Sequence, residues 1–125
     1  MSFAPLSKEQ FINLATTKKS GEIIGTPVWF VNDGDVLYVM TGKDAGKVKR
    51  IRNFPAVTLG PCDRTGNMLG DTLPAFARIL DETENAKANA LLNTKYGFMK
   101  RVFDLMALFN GGNKNRAYIE IRANA

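Results

Sequence analysis

The sequence predicts a mainly β fold with helices, an antiparallel barrel of short strands. Three observations predict it. Short runs rich in Ile, Val, Thr, Phe and Trp recur, separated by turn words such as Lys18-Lys19-Ser20-Gly21, Asp33-Gly34 and Asp63-Arg64-Thr65-Gly66-Asn67. The clearest helical patterns come late in the chain instead of alternating with strands, which favours hairpins over parallel crossover units. The 125 residues, 45% hydrophobic and 23% charged, make one ordinary domain, residues 1–125, able to bury a core without cross-links.

Each element has its own local reason. Ser7 with Gln10 resembles a capping box, so a short opening helix or turn precedes a strand through Ile12 and Leu14. Glu22 to Asn32 has strand composition, but Pro27 cannot donate to a ladder, so this strand carries an edge, bulge or irregular site. The Asp33-Gly34 turn joins it to a strand from Val36 to Thr41. After a polar loop, Gly42 to Gly46, the i, i+3 pair Val48 and Ile51 predicts a short basic helix over Lys47 to Asn53, ended by Pro55. Strands follow at Val57 to Pro61 and Leu73 to Leu80. A helix over Asp81 to Tyr96 is predicted from Ala86, Ala90, Leu91 and Leu92, with Gly97 breaking it. A more apolar helix runs from Phe98 to Phe109, Gly111-Gly112 ends it, and Ala117 to Arg122 is the last strand.

Composition excludes several chemistries. There is no histidine and one cysteine, Cys62. That removes Ser-His and Cys-His nucleophile pairs, an intrachain disulfide and a cysteine-based zinc cluster. A bound cofactor is therefore the natural carrier of any redox chemistry. The net charge of +5 favours an anionic ligand or partner. The N-terminus lacks a signal-peptide design, and Val102 to Phe109 is too short to span a bilayer. The expectation is a cytoplasmic protein with no membrane partner.

The most informative segment runs from Val39 to Asn53. A strand ends in Thr41, a loop follows, and a helix opens with Gly46-Lys47-Val48-Lys49-Arg50-Ile51-Arg52. A helix N-terminus offers free N–H groups, Lys47 a point charge, Arg50 a bidentate fork and Thr41 a hydroxyl, which together form a plausible phosphate cradle. The spacing is not that of a P-loop. On chemistry alone, a solvated basic helix face is the commoner reading. In Thr26-Pro27-Val28-Trp29-Phe30, an incomplete ladder leaves backbone groups for a planar heterocycle, although Trp29 alone reads as core. Cys62 reads as a buried structural thiol. Lys95, Lys100 and Arg101 flank Tyr96-Gly97 and are either helix surface or a dock for an anionic tail or substrate.

These segments follow one another in a familiar order. Thr26-Pro27-Val28-Trp29-Phe30, Thr41, Gly46 to Arg52, Pro55, Val57-Thr58-Leu59, Pro61-Cys62-Asp63-Arg64, Gly66 and Lys95-Tyr96-Gly97 resemble the pyridoxamine 5′-phosphate oxidase-like split β-barrels. The chain is most similar to the branch described as F420-dependent oxidoreductases. The resemblance implies an FMN-binding type of split barrel, a homodimer, and a cofactor in the groove between protomers. It implies that Lys47 and Thr41 hold the phosphate, that Lys49 and Arg50 flank it, and that Thr26, Pro27, Val28 and Trp29 run beside the ring system. Ala45 stands where related sequences often carry a serine.

The leading expectation is hydride transfer from coenzyme F420, a deazaflavin, to a small-molecule acceptor; the catalytic residues themselves are not identified. FMN is the alternative cofactor, serving a reductase or oxidase of the same fold. A non-catalytic protein holding flavin, haem or another tetrapyrrole is a second alternative. Nucleic-acid binding ranks last, because no aromatic residues interleave with the basic run. The run Val102, Phe103, Leu105, Met106, Leu108 and Phe109 is more apolar than one core stripe requires, which predicts a twofold dimer.

Overall fold

A computed structural model describes Phe3, Leu6 and residues 9–42, 45–109 and 116–123, with 98–109 as backbone alone. The elements are β1 (Phe11–Thr17), β2 (Ile23–Val28), β3 (Phe30–Asp33), β4 (Val36–Gly42), α1 (Gly46–Asn53), β5 (Ala56–Cys62), β6 (Leu73–Ile79), α2 (Glu82–Phe109) and β7 (Arg116–Arg122). The strands form one antiparallel seven-stranded sheet in the order β2-β1-β5-β6-β7-β4-β3. This is the split-barrel arrangement, mainly antiparallel β with two helices.

The expected single strand over Glu22 to Asn32 is two strands. β2 pairs with β1 through Val28, and β3 pairs with β4 from Phe30, so the chain changes ladders at Trp29. β2 and β3 are the sheet's two edges, and one residue separates them. Pro27 thus sits on an edge strand, where its missing N–H costs no interior ladder bond.

The sheet wraps one core. Ile12 and Leu14 on β1, Leu37 and Val39 on β4, Leu59 on β5, and Ile119 and Ile121 on β7 all lie at 0% exposure on its inner side. Each such side chain contributes roughly 1.5–3 kcal/mol. Helix α1 closes one end by burying Val48 and Ile51, the i, i+3 pair that its sequence shows. The buried run Ala117 to Ile121 breaks strand alternation because β7 is covered on both faces. Its outer residue Tyr118 packs with Val31, Tyr38, Leu80, Ala88, Leu92 and Tyr96 under α2.

One helix reading changes in detail. The α2 stripe that packs is Ala88, Leu92 and Tyr96, whereas Ala86 and Ala90 face solvent. The i, i+4 spacing of the first set aims one row at the sheet, and the small size of Ala86 and Ala90 does not make them core. Gly97 breaks the run as expected: its non-helical backbone (φ 51°, ψ −122°), which side chains with a Cβ resist, puts a kink between two helices. At the N-terminus, Leu6 N–H bonds to the Phe3 carbonyl and Glu9 N–H to that of Leu6, giving turns ahead of β1. Ser7 of the expected capping box, the side chains of Phe98 to Phe109, and Gly111-Gly112 lie outside the described residues.

Among the described residues no helix lies over the outer face of β1, β2 and β5, where Met68 and Asp71 approach Asn13 and Gly60. No charged residue stands at an outward position of β1, β2 or β5: Asn13, Ala15, Gly25 and Thr58 are typical, and Ile23 and Phe76 at the margins are 65% and 38% exposed.

Candidate functional site

Strand β4 delivers Thr41 to the barrel end that α1 covers. Lys47, in the first turn of α1, reaches back so that its Nζ donates to Thr41 Oγ1 at 3.2 Å. One turn on, Arg50 Nε donates to Thr16 Oγ1. Thr16 is fully buried at the end of β1, so the guanidinium is anchored to the sheet and does not wave in solvent. The remaining guanidinium nitrogens fold over Gly46, where an added Cβ would meet Nη1 at 2.6 Å. A side chain at this position would displace the arginine.

The electrostatics are one-sided. Burial, and next the Arg50 charge, pull the Lys47 pKa below the ordinary lysine value. No acid lies in the first turn of α1, and among the described residues neither cation pairs with a carboxylate. Ala45 caps the helix with no side-chain hydrogen bond, so the first-turn N–H groups add a positive dipole end to the two cations. Like charges held together without a counter-charge are stabilised by an anion, and the donors here suit phosphate oxygens.

The other expected site residues fall in two places. Lys49 is exposed on α1, and Arg52 is exposed at the far end of that helix. Thr26, Pro27 and Val28 lie on the edge strand β2, with Trp29 at the corner where the chain leaves it. Thr26 Oγ1 is buried with no hydrogen-bond partner. Trp29 stacks on Tyr96 (centroids 4.7 Å apart, planes at 17°), so one indole face is already used.

Sequence reading missed the part played by Tyr96. Its hydroxyl accepts the Phe30 N–H at 2.8 Å and lies 2.8 Å from the carbonyls of Phe30 and Gln10, either of which can take its single proton. This buried phenol, pushed up to about 12 by burial, fixes the β2–β3 corner. Lys95 is neither plain surface nor an exposed dock. Its Nζ is buried 3.4 Å from the centroid of the Phe30 ring with no hydrogen-bond partner. Burial draws its pKa down to about 8, with Glu9 opposing. The side chains of Lys100 and Arg101 lie outside the described residues. Cys62 is buried, and burial followed by Asp63 pushes its thiol up, away from nucleophilic use.

Comparison with known proteins follows this geometry. The family model for pyridoxamine 5′-phosphate oxidase matches residues 3–124. The chain belongs to this family. Solved structures agree with the family's fold. HutZ, the heme storage protein of Vibrio cholerae, superposes with a TM-score of 0.69 at 13% identity, over 98% of this chain and 90% of that one. An F420-H2 dependent reductase gives 0.63 at 17% identity, over 90% and 94%. A further structure, described as a domain-swapped dimer, gives 0.64 at 17% identity, over 90% and 80%. No curated protein matches the sequence. Among the described residues, no helix is long and apolar enough to cross a membrane, and no cluster of acidic or thiol side chains could hold a metal ion.

Proposed function

We propose that this member of the pyridoxamine 5′-phosphate oxidase family is an oxidoreductase that grips the phosphate of coenzyme F420, with FMN as the alternative cofactor. The observation that carries the reading is the Lys47–Arg50 pair. Two cations are tethered to Thr41 and Thr16 over a side-chain-free Gly46, with no carboxylate paired to them among the described residues. Lys47, Thr41 and the first-turn N–H groups would take the phosphate, and Arg50 and Lys49 would flank it. Thr26 to Trp29 would line the ring system, where the unpartnered Thr26 hydroxyl offers a hydrogen bond. When bound, such a cofactor supplies hydride transfer to a small organic acceptor, and the protein supplies orientation.

The charge beyond the cradle favours the deazaflavin. Its acidic tail extends past the phosphate, and exposed Lys49 adds a cation there. A storage role for haem, as the likeness to HutZ raises, finds no imidazole ligand, since the chain contains no histidine. The chain would work as a homodimer, paired through the charge-free outer face of β1, β2 and β5, since that face leaves Ile23 and Phe76 in water.

Native mass spectrometry with F420 and FMN offered in competition tests this reading. F420 is expected to be retained. Lys47→Ala should weaken both phosphorylated cofactors by roughly 1.5–3 kcal/mol, the range of a charge-assisted hydrogen bond, and leave the dephosphorylated chromophores nearly unaffected. Equal loss for phosphorylated and dephosphorylated forms would overturn the cradle, and preferential retention of FMN would replace F420.

A further inference from the structure

The amine of Lys95 lies where an ammonium is poorly served. Its Nζ is shut off from solvent and makes no hydrogen bond with the described residues. It sits 3.4 Å from the centroid of the Phe30 ring and 5.5 Å from that of Tyr96. A ring face attracts a cation, but it does not replace the hydrogen bonds that an ammonium makes in water. A buried charge without them is costly, and a neutral amine of the same shape is far less so. The low pKa of this amine, drawn to about 8 by burial, agrees with the geometry.

The groups around the amine offer it a second place. From the turn before β1, the Glu9 carboxylate is near enough to oppose the fall in pKa, yet among the described residues no ion pair joins the two side chains. From β3 comes only the Phe30 ring, since Asp33 at the far end of that strand is taken by Lys87 at 2.9 Å. On α2 itself, the phenol of Tyr96 is bound to the backbone of Phe30 and Gln10 and stays neutral, its pKa near 12. Lys95 as a whole is only half-buried, so the way out is short. The Phe30 ring suits the neutral amine, and the side toward Glu9 suits the charged one.

Phe30 opens β3, and Trp29 before it is stacked on Tyr96. An amine that leaves the Phe30 ring therefore unseats the corner that leads back into Thr26 to Val28. We infer that Lys95 is a proton-driven latch on the Trp29–Phe30 corner: neutral, its amine lies on the Phe30 ring and closes the corner; protonated, it turns out toward Glu9 and lets the corner open. The closed form binds the proton less tightly than the open form, so closing gains about ten-fold per pH unit above pH 8, until the open form also loses its proton. The latch acts on the corner whichever ligand lies along β2, so it stands apart from the cofactor reading.

Trp29 is the only tryptophan, so acrylamide quenching of its fluorescence reports the corner in the full chain. Between about pH 7 and 9.5, quenching of the wild type is expected to fall as the corner closes. Lys95→Met keeps a long side chain without a charge and should stay closed, with low quenching at every pH. Lys95→Arg keeps its charge throughout and should stay open, with high and flat quenching. Glu9→Gln removes the outer partner and should move the transition to lower pH. Three results would each overturn the proposal: constant quenching of the wild type across the window, a Lys95→Met protein that follows the wild-type curve, or an unmoved transition in Glu9→Gln. The Lys95→Met comparison decides even where Lys95→Arg does not fold.

Discussion

The ring of Trp29 lies flat on the ring of Tyr96, and the hydroxyl of Tyr96 bonds to the backbone of the next residue, Phe30. One side chain of α2 thus holds both the ring and the main chain of the corner at which β2 becomes β3. Tyr96→Phe should keep the stack and take the hydroxyl away from the buried backbone N–H and carbonyl of Phe30. The expected cost is about 1–3 kcal/mol, read from urea denaturation. Trp29 is the only tryptophan, so its emission should stay as in the wild type if the corner keeps its shape.

Gly46→Ala separates stability from binding. The new Cβ would push on the end of Arg50, a flexible group, so the fold should tolerate it. Alanine also favours helix by up to about 1 kcal/mol. Thermal stability should hold or rise slightly, while affinity for the phosphorylated cofactor falls, measured by calorimetry. Unchanged affinity would show that Arg50 can reach the phosphate from elsewhere.

Lys95 predicts a pH dependence with a definite sign. In the fold its amine releases a proton near pH 8; in the unfolded chain it does so near 10.5. Between these values the unfolded state binds more protons, so stability rises with pH. Tyr96 works the other way above pH 10, because its folded value stands near 12 against 10.0 unfolded. The rise is therefore expected between about pH 8 and 10. Lys95→Met should remove it and stabilise the protein at pH 7, as seen in denaturation midpoints across that window.

The outer face gives a fourth test. Phe76→Glu or Ile23→Glu puts a charge on an uncharged, exposed surface without touching the core. Either variant should keep the wild-type circular dichroism and sediment as a monomer where the parent sediments as a dimer. A parent that is already monomeric at micromolar concentration removes the proposed pairing.

Much of the fold is legible in local chemistry. Val48 and Ile51 mark α1, Pro55 marks its end, and the Asp33-Gly34 word marks the β3–β4 hairpin, because each acts on its own neighbours. The corner at Trp29 is half legible: Pro27 marks an edge or irregular site in the run from Glu22 to Asn32, but the change of ladder two residues on, held by Tyr96, has no local signature. The cradle was half legible. Lys47, Arg50 and Thr41 lie within ten residues, whereas Thr16 joins them across 34 positions and has no signature beyond being an inward threonine. The Asp81-x-x-Glu84 capping box, with Glu84 returning to the Asp81 N–H at 3.1 Å, was in plain view at the start of α2 and went unread.

The position of β7 bears on how the chain is made. It lies between β6 and β4, so the β2-β1-β5-β6 half of the sheet and the β4-β3 hairpin are joined in the hydrogen-bonded order only through it. Its partner Val36 stands opposite Arg122, far apart along the chain. During synthesis the earlier strands emerge with two interior edges bare, on β6 and β4, and wait for the strand that fits between them. The nascent protein is therefore most prone to sticking to its neighbours just before that strand appears, the stage at which a chaperone that covers open strand edges would help it most.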